Sequence, residues 1–343
     1  MKFKPQFYRL SSRSAMQRTA SLVTMLVLLS ACATYEPLDP AFFQIDSGRL
    51  PATDITLNIP GLGPCTDNPD RRLRLDSSQP VHVLVHGCYG SSGNFRGLAQ
   101  VLAFHGQQSA CFTYDDRDEL TRSATELRHA VNQLAEQTRS SQITVIGHSQ
   151  GALIARKSLT ELVLMPPSVR QADLRLVTIS GPFAGIASAE TCGKTWLYPL
   201  TLGLLPATCY LVTGAKWADI TYSSRFIREP GALTPQVSQY LKIDTDERNS
   251  CRREQDGRCM EEDNIFTLAE QRNALVESDA RTQRVEVRAG HVEIVGDKRV
   301  APTKLIGLLQ ERGVLHPTAP ERRSALGLLL ANIYQLDPAQ PLQ

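Results

Sequence analysis

A serine placed to attack stands out first. Gly147-His148-Ser149-Gln150-Gly151 fits the pattern Gly-x-Ser-x-Gly, and it follows Ile143-Thr144-Val145-Ile146, an apolar run that reads as a buried strand. A helical pattern through about Leu162 comes next. A sharp turn between strand and helix pushes a serine oxygen out of the sheet edge, and glycines on either side remove side chains that would clash there. The helix start then presents a backbone N–H beside the nucleophile. Such a serine can carry acyl transfer if a base takes its proton and donors hold the developing oxyanion. His148 lies inside the turn, points away from the serine and reads as a packing residue rather than the base.

The surrounding elements are those such a turn needs. Val81-His82-Val83-Leu84-Val85 is a nearly continuous apolar run, as expected for a strand buried on both faces. Phe95, Leu98, Val101 and Leu102 then recur at helical spacing, followed by strand-like Cys111-Phe112-Thr113-Tyr114. Leu120 to Thr138 reads as an amphipathic helix with Leu120, Ala124, Leu127, Val131 and Leu134 on one face. Further strand candidates are Leu174 to Ile179, Tyr240 to Asp244 and Arg284 to Val287; further helices are Leu268 to Glu277, Thr303 to Leu309 and Ser324 to Ile333. Strands alternating with helices imply an α/β fold with a mostly parallel sheet and helices on both faces. Active sites of such sheets lie outside the carboxyl ends of the strands. Residues 187–238 interrupt the alternation with both tryptophans, Trp196 and Trp217, and an apolar stretch from Trp196 to Leu205; they are expected to form a cap or lid over the site.

His86-Gly87-Cys88-Tyr89-Gly90, directly after the strand Val81 to Val85, resembles the His-Gly loop of α/β-hydrolase lipases and esterases. Thr178-Ile179-Ser180-Gly181-Pro182-Phe183-Ala184-Gly185 looks like their strand-end Thr-Pro-x-x-Gly segment. The likeness covers roughly residues 80–310. It implies an α/β-hydrolase fold and a serine esterase in which the N–H groups of Cys88 and Gln150 hold the oxyanion. It also implies the chain order nucleophile, acid, histidine. Only His291 and His316 lie beyond Ser149. His291 follows the strand-like Arg284 to Gly290, where the family carries its base, whereas His316 precedes a proline in a polar stretch. Glu262-Asp263-Asn264-Ile265-Phe266 resembles the lipase segment that holds the triad aspartate, which makes Asp263 the expected acid. Asp244 and Asp246, at the end of a strand candidate, are the runner-up pair. The expected reaction is hydrolysis of a carboxylic ester through an acyl-enzyme. The same triad also serves thioesterases and amidases, and a non-catalytic envelope protein on this scaffold is the rival of a different class. No His-Glu-x-x-His or Cys-x-x-Cys pattern occurs, so neither a metal nor an organic cofactor is implied.

The first 31 residues read as an address. Lys2, Lys4, Arg9, Arg13 and Arg18 precede the apolar run Ala20 to Leu29, which is shorter than the roughly 20 residues a spanning helix needs. Leu29-Ser30-Ala31-Cys32 resembles the lipobox of bacterial lipoproteins, implying lipidation of Cys32 and a tether over residues 32–53 that leads into a hydrolase domain at 54–343. Ala33 in place of aspartate implies the outer membrane of a Gram-negative cell envelope. Removing the five positive charges of this segment takes the formal balance from +2 to −3, which leaves no electrostatic footprint for nucleic acid. Export also permits disulfides. Without Cys32 seven cysteines remain, so at least one stays a thiol. Cys192/Cys209 and Cys251/Cys259 are the expected pairs, and Cys65, Cys88 and Cys111 are unassigned.

Overall fold

The computed structural model describes residues 52–161, 172–193, 200–201, 204–297 and 300–334. The export segment, Cys32, most of the tether and the part of the apolar stretch that holds Trp196 lie outside them.

Eleven strands occur among the described residues: β1 Ile55–Leu57, β2 Leu62–Gly63, β3 Leu73–Leu75, β4 Val81–Val85, β5 Gln108–Phe112, β6 Gln142–His148, β7 Asp173–Ile179, β8 Val237–Asp246, β9 Cys251–Gln255, β10 Arg258–Glu262 and β11 Thr282–Arg288. Seven form one sheet in the order β2-β5-β4-β6-β7-β8-β11, and only the edge pair β2–β5 is antiparallel. The expected α/β architecture is borne out, with a small antiparallel pair β1–β3 and a hairpin β9–β10 outside the main sheet.

The central strands are buried on both faces: β4 is buried at every position and β6 at all but its first residue, whereas the edge strand β11 is partly exposed along its length. Val81, Val83 and Val85 face a layer with Leu120, Leu127, Val131 and Leu134 of the helix Leu120–Gln137 and Ile154 of the helix Gln150–Ser158. Leu84, Ile146, Val177, Ile179, Leu241 and Ile243 face the other way, against Leu98, Val101 and Leu102 of the helix Arg96–Phe104, Leu305 and Leu309 of Thr303–Glu311, and Leu330 and Ile333 of Arg323–Ile333. The period of two along each strand divides the apolar residues between two helical layers. The expected single helix Leu268 to Glu277 is two short ones, Leu268–Gln271 and Ala274–Glu277. The second is capped by Asn273, whose side chain accepts from the N–H groups of Leu275 and Val276.

Disulfides join Cys192 to Cys209 and Cys251 to Cys259, and a third joins Cys65 to Cys111 across 46 residues, next to the β2–β5 edge. A cross-link closing a loop of that length limits the unfolded chain by about 4 kcal/mol on the loop-entropy account. Cys88 keeps its thiol.

Two glycines let the elbow close. A Cβ on Gly147 would lie 2.3 Å from the Gly151 carbonyl oxygen, and a Cβ on Gly151 would lie 2.3 Å from the carbonyl oxygens of Val85 and His86. Backbone cannot yield there as a side-chain tip would. Gly151→Ala is therefore expected to cost about 3 kcal/mol of stability, read as a lowered denaturant midpoint at unchanged slope.

Candidate active site

Four strands of the parallel sheet deliver their carboxyl ends to one rim. β6 ends on His148-Ser149, β4 on His86-Gly87-Cys88, β8 on Asp246-Glu247, and β11 leads through Arg288 to His291. Ser149 sits at φ 57°, ψ −126°, a conformation that side chains avoid. Its N–H donates to the Ile179 carbonyl at 2.9 Å, and the helix Gln150–Ser158 begins at the next residue. The His-Gly loop passes over it: a Cβ on Gly87 would lie 2.9 Å from the Ser149 Cβ and 3.4 Å from its Oγ. The two proposed oxyanion donors, the N–H groups of Cys88 and Gln150, thus belong to segments that flank the nucleophile. His86 is stacked on Tyr114 at 4.3 Å, and the Tyr114 hydroxyl donates to the His86 carbonyl at 2.7 Å. Burial pushes the His86 imidazole below its ordinary range, and its Nδ1 lies 2.9 Å from the Gly87 carbonyl oxygen.

His291 is brought beside the elbow. Nε2 of His148 lies 2.8 Å from the His291 carbonyl oxygen, and the two rings are 4.7 Å apart. His148, expected only to pack, thus fixes the histidine loop. Burial, and then the neighbouring His291, hold its pKa well below the usual imidazole range, so it is neutral and donates through Nε2–H. Phe266 packs edge-on against the His291 ring at 4.8 Å.

The carboxylate on the His291 ring is Glu247, not Asp263. His291 Nδ1 lies 2.8 Å from Glu247 Oε1, which also accepts from Thr245 Oγ1 at 2.8 Å. Glu247 Oε2 accepts from the N–H groups of Ile265 and Phe266, both at 2.7 Å. Glu247 is 1% exposed, and all four donors around it are satisfied by its two oxygens. Ser180 and Gln271 complete the support: Ser180 Oγ is 2.7 Å from Thr245 Oγ1, and Gln271 brackets the Thr245 backbone, accepting from its N–H and donating to its carbonyl, each at 2.8 Å.

Asp263 is corrected accordingly. Its carboxylate accepts the N–H groups of Val292 and Glu293, and its own carbonyl accepts the His291 N–H, each at 2.9 Å for the shortest contact. It clamps the main chain of the histidine loop and leaves the ring alone. Burial raises its pKa, opposed by those backbone donors. Asp244 and Asp246 do not reach His291 either. Asp244 pairs with Lys242 and Arg284, and Asp246 with Arg248 and Arg288. Strand alternation explains this: 244 and 246 project to one face of β8, 245 and 247 to the other. His316 is exposed beside His105, at the opposite, amino end of β5. Asp263→Asn keeps one acceptor and loosens the loop; kcat is expected to fall by about 10- to 100-fold, with the nucleophile still titratable.

Among the described residues no group of three or more His, Cys, Asp or Glu side chains could hold a metal ion.

The fold and this rim define a serine hydrolase of the α/β-hydrolase class. Residues 80–255 match the family described as palmitoyl protein thioesterase, and the chain belongs to that family. The matched stretch holds the His-Gly loop, the elbow and Glu247, while His291 lies beyond it. Among solved structures, the chain is similar to the lipase BlEst2 of Bacillus licheniformis. The propeptide form matches at 13% identity over 75% of this chain and 54% of that one, with a TM-score of 0.50. The mature form matches at 14% over 74% and 97%, with a TM-score of 0.49. Esterase B of Lactobacillus rhamnosis matches at 12% over 89% and 96%, with a TM-score of 0.45. Likeness at such identities speaks to fold alone. The comparison with curated proteins finds no match.

Proposed function

We propose that the protein hydrolyses acyl esters through a Ser149–His291–Glu247 triad. The observation that carries this is the contact between His291 Nδ1 and Glu247 Oε1 at the rim where the elbow presents Ser149. A carboxylate only accepts, so the proton sits on Nδ1 and the lone pair on Nε2. His291 takes the Ser149 proton as Oγ attacks the ester carbonyl, and the N–H groups of Cys88 and Gln150 hold the tetrahedral oxyanion. His291 then gives the proton to the leaving alcohol, and water repeats the cycle on the acyl-enzyme. Glu247 orients the ring and stabilises the imidazolium without taking the proton. This departs from the Asp263 reading of the sequence only in the acid.

The family match favours a second reading for the leaving group, a thiol in place of an alcohol. Nothing in the triad chooses between them, since neither leaving atom is held by it. Matched oxyesters and thioesters of one acyl chain, tried across acyl lengths, separate the two by kcat/KM. A fluorophosphonate that fails to label the wild-type protein would remove both.

We infer further that the chain is exported and lipidated on Cys32, which would hold the site at an outer-membrane surface and favour acyl substrates presented there. The reading rests on the basic segment, the apolar run and the Leu-Ser-Ala-Cys ending. Cys32→Ser is expected to move the protein from the membrane fraction to the soluble one and to abolish incorporation of labelled palmitate. Unchanged fractionation together with unchanged incorporation would overturn it.

A further inference from the structure

The insertion between β7 and β8 sends a lysine into the wall of the oxyanion loop. Lys216 lies on the single turn Ala215–Ala218 and is 1% exposed. Its Nζ donates to Cys88 Sγ at 3.0 Å and to Asp116 Oδ2 at 3.4 Å, and stands 5.0 Å from the centre of the Tyr89 ring. A buried ammonium is expensive unless its surroundings are arranged for it. Here they are arranged around one feature. Cys88 and Tyr89 are consecutive residues of the oxyanion loop. The Asp116 carboxylate that Lys216 pairs with also accepts the Tyr89 N–H, and the Asp116 carbonyl accepts from Gln150 Nε2 at 3.1 Å. Lys216 and Asp116 together therefore touch both residues whose N–H groups would hold the oxyanion.

The segment that carries Asp116 is itself seated on the insertion. Ala215 N–H donates to the Arg117 carbonyl at 2.7 Å, and Arg117 Nη2 donates to the Leu211 carbonyl at 2.9 Å. Leu120 N–H donates to Asp219 Oδ2 at 2.8 Å. Gly214, at φ +79°, passes so close that a Cβ would lie 2.2 Å from the Arg117 carbonyl oxygen. The insertion and the oxyanion loop are thus braced through one short bridge, residues 115–120.

We propose that Lys216 is a positioning residue of the insertion: it fixes the Cys88 N–H where the oxyanion forms, so that the seating of the insertion sets the rate of acyl transfer. This rests on the serine acyl-transfer reading given above. Lys216 acts on the oxyanion loop through the Cys88 side chain and the Asp116 carboxylate. Its removal should act on the transition state, where the oxyanion exists, and spare ground-state binding.

The test uses the full chain with Lys216→Met, which keeps the stem and removes the ammonium. Rates are normalised to the sites a fluorophosphonate labels at completion. We expect kcat on a p-nitrophenyl ester to fall by about 10- to 100-fold, less than the loss of a whole oxyanion donor, with KM within about 2-fold. The inhibition constant of a trifluoromethyl ketone, which builds the same oxyanion on Ser149, should rise by the factor by which kcat/KM falls. A kcat within about 2-fold of wild type, or a lost kcat with ketone affinity unmoved, would overturn the proposal. Should Lys216→Met fail to fold, Asp116→Asn carries the test, because it keeps an acceptor for the Tyr89 N–H and removes the charge that holds the ammonium. It should show the same parallel loss, and normal kcat and ketone affinity in it would overturn the proposal equally. A wild-type protein that neither labels nor turns over esters would instead sink the acyl-transfer reading beneath it.

Discussion

Glu247→Gln should lower kcat by about 10³- to 10⁴-fold while Asp263→Asn costs far less. The asymmetry follows from the donors. Four groups donate to the two Glu247 oxygens: His291 Nδ1–H, the Thr245 hydroxyl and two backbone N–H groups. An amide offers one oxygen, so its NH₂ must face donors in either orientation. Turned toward His291, it drives the imidazole to the tautomer with its proton on Nε2, which cannot accept from Ser149. Turned toward Ile265 and Phe266, it opposes two N–H groups that cannot rotate away, and the acid strays from the ring. Asp263 never meets the ring, so its amide leaves the tautomer intact. Steady-state kcat on a short p-nitrophenyl ester, with circular dichroism to verify folding, decides between them. A larger loss in Asp263→Asn would return the acid to residue 263.

The sheet, its two helical layers and the elbow were legible, because buried parallel strands and amphipathic helices leave strong periodic marks. Two of the three disulfides were also legible, as each closes a short loop. The acid was not. β8 runs to Asp246, two residues past the strand candidate Tyr240 to Asp244, and is buried from Tyr240 through Asp246; the alternation of Leu241 and Ile243 with Lys242 and Asp244 separates two faces but does not say which of them His291 meets. Three carboxylates in four positions then look alike. The lipase-like segment Asp263 to Phe266 does serve the acid, but with its backbone: Ile265 and Phe266 supply N–H groups to Glu247, and the Asp263 side chain secures residues 292 and 293. A single sequence shows residue types and not which atoms of a residue are used. The same limit hid the role of His148, whose contribution is a contact with the main chain of a residue 143 positions away.

Replacing Ser149 removes the bond-forming atom, and Ser149→Ala should lower kcat by about 10⁶-fold. His291→Ala should cost nearly as much, and the double variant no more than either, because a base without a nucleophile and a nucleophile without a base are equally idle. A residual rate about 10³-fold above that in water should survive in all three, supplied by the oxyanion donors and binding. Additive losses would mean that the two residues act separately and that the triad is not one unit. The same position carries a stability readout independent of turnover. At φ 57°, ψ −126° alanine retains the strain of serine, whereas glycine relieves it. Ser149→Gly should therefore be more stable than Ser149→Ala by about 1 kcal/mol, the released strain outweighing the entropy that glycine adds to the unfolded chain. Equal melting temperatures for the two would mean that the elbow is not strained at Ser149, and that its hydroxyl is held in place without a conformational cost.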